Sequence, residues 1–380
     1  MNSQDILEYF VNRKDAAIEM ISEIVEIESP SYDVERSKKA VDWIENQVRG
    51  ISDSFEVERI YAEDFGDHLI VRAFQDSDLR PVFILGHSDT VHPVGATTQN
   101  PTRVQNGKLF GCGTFDMKAN IVVMLEVFRM FVKYGLTPAR PINVLISCDE
   151  EVGSDTGRKY VEQEGKKAEC CFVFEPSAGG KVKTGRKGTG SYILKTHGIP
   201  SHAGLDPEKG ASAILEISRQ IEKLHSLTDF EIGTTVSVGM IKGGTAMNVI
   251  PAEAECSIDV RFESLEEANR VERELNNLTA VDERVSVELI GAINRPPLER
   301  TEGVISLFEK AKSVARTFDY DLEETQVGGA SDGNFVGALG VPVLDGLGIA
   351  GDGAHTLEEF VYVDDIPNRA SLLAKLLLEV

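Results

Sequence analysis

Two observations predict an α/β protein with a mostly parallel sheet and helices on both faces, and a third predicts an inserted α+β domain. Apolar runs at Leu69–Val71, Val82–Leu85, Ile142–Ile146 and Cys170–Phe174 have strand length and end in polar or glycine-containing turns. Runs without polar alternation belong to strands buried on both faces, as in parallel sheets. Helical spacing alternates with these runs, which is the pattern of strand–helix–strand units. After Glu175 the pattern changes to longer strands and two helices, as expected of a smaller module set into the larger one.

The elements follow in order. Ile6, Leu7, Phe10, Val11, Ile18, Ile21, Ile24 and Val25 recur at spacings of three and four, which predicts an amphipathic helix. Ile121–Val132 is too long for a strand and reads as a buried helix between the second and third strands. Gly179, Gly180, Gly185, Gly188 and Gly190 make a hinge-like passage. Beyond it, strands are expected at Tyr192–Thr196, Thr235–Met240, Ala254–Arg261 and Val285–Leu289, with helices over 209–225 and 265–278. Asn294, Arg295, Pro296 and Pro297 form a return linker, followed by helix 303–317, strand 341–344 and helix 367–379. The expected organisation is therefore a main domain in two parts, 1–184 and 296–380, around an inserted domain at 185–295.

A formal charge of −23 on 380 residues argues against nucleic acid or an anionic membrane as partner, because both repel such a field. An anionic substrate would need a local cationic pocket. The first twenty residues mix charges among their apolar positions, and no apolar stretch reaches membrane-spanning length. Five cysteines, odd in number and without a CxxC pair, read as reduced and mostly buried thiols of a cytoplasmic protein. Metal chemistry, if present, would then use oxygen and imidazole ligands, which 62 acidic residues and seven histidines can supply.

Five segments carry candidate chemistry, most of them just beyond an expected strand, where open α/β sheets bind ligands. His87 and Asp89 stand two apart, either as a metal ligand with its supporting carboxylate or as a surface pair at a turn. Asp116, after Gly111 and Gly113, sits where a helix N-cap would. Glu150 and Glu151 follow a buried strand, where adjacent carboxylates repel unless a cation holds them. Neighbours also point different ways, so one can ligate a metal while the other moves a proton. Glu175 ends another apolar strand, and His355 lies in a glycine-containing loop.

Taken in order, GHSDTV, GCGTFDMK, SCDEEVGS, FEPS and GAHTLEEFV resemble the di-zinc aminoacylase/carboxypeptidase superfamily. Arg186 to Gly190, His202-Ala203-Gly204 and Pro207 to Gly210 look most like its glutamate carboxypeptidase branch. The resemblance implies a zinc-exopeptidase-like fold with an inserted lid and dimerisation domain. It implies that Asp116 bridges two zinc ions, His87 and Glu175 completing one site and Glu151 and His355 the other. Glu150 would be the general base toward a metal-activated water, Asp89 would orient His87, and a cis peptide would follow Asp116. Cobalt or manganese would be possible substitutes.

For the insert, the resemblance implies that His202 reaches the opposite subunit of a homodimer and stabilises the oxyanion. Arg261 would clamp the substrate's terminal carboxylate, with Asn248 and Ser331 as further substrate contacts. Arg186 and Lys187, in a glycine-rich loop, read more naturally as solvent-facing. The expected activity is hydrolysis of an amide in a small peptide or N-acyl amino acid, releasing a C-terminal residue, glutamate by resemblance. An N-acyl-amino-acid deacylase of the acetylornithine or succinyl-diaminopimelate type is the alternative. A metal-binding regulatory protein without catalysis, or a structural dimerisation protein, stands further off.

Overall fold

The computed structural model describes residues 1–380 and divides into two compact units. The first comprises 1–185, 300–327 and 331–380, and the second 186–299 with 328–330.

In the first unit the apolar runs assemble into a six-stranded sheet. Its strands are β1 (Glu56–Ala62), β2 (Gly66–Ala73), β3 (Val82–His87), β4 (Ile142–Ser147), β5 (Cys170–Val173) and β6 (Val343–Leu344). Their spatial order is β1-β2-β4-β3-β5-β6. The last four run parallel, Val82 pairing with Ile142 on one side and Cys170 on the other. β1 and β2 form an antiparallel hairpin added to the β4 edge.

Both faces of the parallel strands are covered. Val82 and Ile84 join the main core, with residues of helices Ser3–Glu26, Ala119–Tyr134 and Ile366–Glu379. Phe83 and Leu85 occupy the alternate positions and are equally buried on the other face. Helix Arg158–Gly165 packs on that second face, where Asn143 of β4 donates to Glu164 at 2.8 Å. All five cysteines are free and buried. No helix is long and apolar enough to cross a membrane.

Several elements have no counterpart among the expected ones, helix Val34–Ile51 and strand β1 among them. Helix Val34–Ile51 is capped by Asp33, which accepts from the Arg36 N–H. Strand β1 is an exposed edge bearing Glu56, Glu58 and Arg59, so no apolar run marks it.

The second unit is a four-stranded antiparallel sheet in the order Thr235–Gly243, Glu253–Phe262, Gly188–His197, Ser286–Arg295. Alternate residues Ala254, Cys256, Ile258, Val260 and Phe262 turn inward, toward helices Ala213–His225 and Leu265–Asn276. Ser212 and Ser264 cap these two helices. Gly188 is required by close approach, since a Cβ there would stand 2.1 Å from Phe262 Cε2. Arg186 differs from its expected solvent-facing position. It is buried, and its guanidinium donates to the carbonyls of Gly329 and Ala330 at 3.2 Å each. That contact ties 328–330 to this unit.

Candidate active site

Three parallel strands end side by side, and the sequence places acids or an imidazole at each end. His87 is the last residue of β3, Glu150 and Glu151 follow β4 closely, and Glu175 lies just beyond β5. Asp116 arrives on the turn that opens helix Ala119–Tyr134, which crosses over from β3 to β4. His355 comes from the loop that precedes helix Ile366–Glu379.

Asp116 stands at the centre of this group. Its Oδ1 lies 3.1 Å from His87 Nε2, and its Oδ2 lies 3.4 Å from His355 Nε2. His87 Nε2 is also 3.5 Å from Glu175 Oε1, and His355 Nε2 is 3.2 Å from Glu151 Oε2. The ligand atoms of His87, Glu150 and Glu175 fall within 4.8 Å of one another, as do those of His87, Asp116 and Glu151. The peptide between Asp116 and Met117 is cis.

Electrostatics tie the two imidazoles to the acids. Burial by itself would push His87 down, yet the Asp116, Asp89 and Glu175 carboxylates hold it well above the ordinary imidazole range. Hydrogen bonding to Asp116 and Glu151 pushes His355 up to about 10. Burial would raise Asp116, but His355 and His87 hold it below the usual carboxylate range. Burial raises Glu151 despite its contact with His355.

The donor set fits divalent metal ions. Glu151 Oε1 is buried with no hydrogen-bond partner, an unmet acceptor that a cation would satisfy. Two ligand atoms on one tetrahedral zinc stand roughly 3.4 Å apart given Zn–N and Zn–O bonds of about 2.1 Å. The imidazole–carboxylate separations here run from 3.1 to 3.5 Å. Imidazole and carboxylate ligands together suit zinc.

A profile of Peptidase family M20/M25/M40 matches residues 83–379. The chain belongs to that family. It is a metallopeptidase-family hydrolase acting on amide bonds. Carboxypeptidase G2 of Pseudomonas sp. (strain RS-16) is 28% identical over 371 residues, covering 96% of this chain and 89% of that protein. Succinyl-diaminopimelate desuccinylase of Pseudoalteromonas translucida (strain TAC 125) is 31% identical over 302 residues, covering 74% and 78%. Aminopeptidase PepT from Bacillus cereus ATCC 10987 shares the fold, with a TM-score of 0.81 at 20% identity over 96% of this chain and 98% of that one. The M20 family metallo-carboxypeptidase Sso-CP2 from Sulfolobus solfataricus gives 0.72 at 15% identity, covering 95% and 98%.

In this M20-family chain the central residues are held by side chains that motif reading did not single out. Glu359 accepts the N–H groups of Gly113, Phe115 and Asp116 at 2.7, 2.7 and 2.9 Å, and His92 Nε2 approaches it at 2.7 Å. Asn120 donates to the Phe174 carbonyl at 2.8 Å and accepts the Ile349 N–H at 2.9 Å, fixing the backbone before Glu175. Asp332 accepts from the hydroxyls of Ser147 and Ser154, either side of the Glu150–Glu151 pair.

Asp89 does more than the expected orientation of His87. The nearer partner of His87 Nδ1 is the Asp89 carbonyl at 3.0 Å, with the carboxylate at 3.4 Å. That carboxylate accepts the N–H groups of Glu150 and Glu151 at 3.2 and 3.1 Å, and the Ser31 hydroxyl at 2.8 Å. Ser331, expected to touch substrate, is fully buried instead. Its hydroxyl donates to Asp345 at 2.6 Å and accepts the Gly333 N–H, so it anchors its loop.

His202, Asn248 and Arg261 lie in the second unit. His202 is exposed, and its Nδ1 accepts the N–H groups of Gly204 and Leu205 at 3.1 Å each. A neutral ring that accepts at Nδ1 carries its proton on Nε2, which leaves that N–H as an outward donor. Asn248 is its neighbour, since its carbonyl accepts the Ala203 N–H at 2.9 Å. Arg261 is forked onto Asp259, with Nε and an Nη each 2.9 Å from a carboxylate oxygen.

Proposed function

We propose that this protein removes a C-terminal amino acid, glutamate by preference, from a small peptide or N-acyl amino acid. Two zinc ions would be held by His87, Asp116 and Glu175 and by Asp116, Glu151 and His355. The observation that carries this reading is the Asp116 carboxylate, which turns one oxygen toward each imidazole. Bound there, the two cations supply Lewis acidity for the amide carbonyl and lower the pKa of the attacking water.

The chain's own groups do the rest. Glu150, grouped with His87 and Glu175, takes the water's proton and passes it to the departing nitrogen. Asp89 holds His87 and the Glu150–Glu151 backbone in register. The His202 Nε2–H donates to the developing oxyanion, and in a homodimer it would come from the opposite subunit. Arg261 pairs with the substrate's terminal carboxylate by exchange with Asp259, and Asn248 contacts substrate beside His202.

The second unit supports the dimer. Strand Thr235–Gly243 is a sheet edge, and its Met240 and Ile241 are 69% and 57% exposed. Ile214 and Leu215 of the adjacent helix Ala213–His225 are exposed as well. An exposed apolar edge is suited to pairing with a second copy.

A panel of peptides and N-acyl amino acids, assayed on the zinc-loaded protein, tests the reading. Glutamate-terminated substrates should lead in kcat/KM. Amidating the terminal carboxylate should cost roughly a hundredfold, the loss of a charge-assisted pair. Equal turnover of amidated and free substrates would contradict the carboxypeptidase reading. The similarity to succinyl-diaminopimelate desuccinylases supports a deacylase as second reading, for which N-acyl amino acids would outrun every peptide in the panel.

A further inference from the structure

We propose that a cleft of about 690 Å³ in the first unit is the subsite for the acyl side of the substrate, and that it takes an uncharged apolar or aromatic group. The inference rests on the amidase reading and names the acyl class for it. The cleft lies between segments 30–35 and 90–94, with Glu151 and Val152 in its wall. Glu151 is also the residue whose Oε2 stands 3.2 Å from His355 Nε2. One residue thus lines the cleft and takes part in the centre, so the cleft adjoins the proposed site of amide cleavage.

The lining selects against charge. Tyr32, Val91 and Val94 border the cleft and are 70%, 40% and 51% exposed. Three large apolar side chains around one concavity gain free energy when an apolar group displaces their water. The Tyr32 ring rests against Phe65, centroids 5.5 Å apart, so it offers a supported wall. The charged lining residues are Asp33, Glu35 and Glu151, and no Lys or Arg lines the space. Arg36, next in sequence, is engaged with Glu28 and Asp33 at 3.5 and 3.3 Å. His92 in the lining is committed to Glu359.

A succinyl tail would therefore place a carboxylate among acids with no cation to meet it. A benzoyl or medium alkanoyl tail would cover the exposed valines and the tyrosine. The volume lies inside the roughly 300–1,000 Å³ typical of small-ligand pockets.

The test uses the zinc-loaded full chain and substrates that share one leaving amino acid while the acyl group runs through acetyl, hexanoyl, benzoyl and succinyl. Benzoyl and hexanoyl substrates are expected to exceed acetyl at least tenfold in kcat/KM, with succinyl below acetyl. In Tyr32→Ser and Val94→Asp the benzoyl-to-acetyl ratio should fall about tenfold. Binding of the same compounds to Glu150→Gln, by calorimetry, is measured in parallel. Turnover with a flat acyl dependence, or a ratio untouched by both substitutions, overturns the subsite and leaves the amidase reading standing. No turnover, but benzoyl-selective binding lost in Val94→Asp on the Glu150→Gln background, overturns the amidase reading and leaves the subsite standing. Succinyl preferred over benzoyl in both assays overturns the proposal outright.

Discussion

Glu359 accepts the backbone N–H of Asp116 at 2.9 Å while its other oxygen receives His92. With the N–H groups of Gly113 and Phe115, four donors converge on one buried carboxylate. The turn that presents Asp116 is thereby fixed from behind. Replacing Glu359 by Gln removes one acceptor oxygen and turns a donor on two of these groups. Metal affinity should fall about 10–100-fold, the usual effect of losing a group that orients a ligand. Metal content after dialysis against graded chelator measures this, and wild-type retention would refute the anchoring role.

Much of the centre was legible because its residues follow apolar strands in short motifs. His87, Glu150, Glu151 and Glu175 sit at the ends of β3, β4 and β5, and these strands neighbour one another in the sheet. Glu359 was not legible. Its partner His92 is 267 positions away, and no local pattern marks such a contact. Ser331 was set beside the substrate by resemblance alone, and no local pattern announced that Asp345, 14 positions on, draws its hydroxyl inward. Helix Val34–Ile51 and strand β1 escaped notice because their charged, exposed faces break up the apolar pattern.

Acid should weaken the second unit through Glu216. Burial would raise this carboxyl, but the Val281 and Asp282 N–H groups and the Gln220 amide hold it below its ordinary value. A carboxyl depressed in the folded state stabilises above its unfolded pKa, and the contribution is lost as pH falls through the folded one. The loss should therefore begin near pH 4.3 and grow below it. Glu216→Gln should cost about 1–2 kcal/mol at pH 7 and less at pH 3.5, because protonation has by then weakened the wild type. Urea midpoints at the two pH values check the sign, and an equal cost at both would contradict it.

Phe172, fully buried on β5, faces the main core with Ile84 and Val144. Truncation to Ala leaves a cavity that a sheet flanked on both sides cannot close. The expected loss is about 3–5 kcal/mol in denaturant unfolding. A loss below 1 kcal/mol would mean that the neighbouring helices collapse into the space.

Met240→Asp places a charge on the exposed edge strand of the second unit, where a second copy is proposed to pair. Sedimentation should show a shift from dimer to monomer. Activity should fall with it if the His202 N–H acts across subunits, and zinc content should stay constant. A wild-type protein that is monomeric and fully active would remove the cross-subunit role.

The central claim is that Glu150 moves the proton while its neighbours hold the metals. Glu150→Gln keeps the side chain's shape and removes its basicity, and it leaves all five proposed ligands in the chain. Paired measurement of kcat and of zinc bound per chain on this variant is the most direct test. The account predicts turnover reduced about a thousandfold or more with zinc still near two per chain. Near-normal turnover at full zinc content would contradict it.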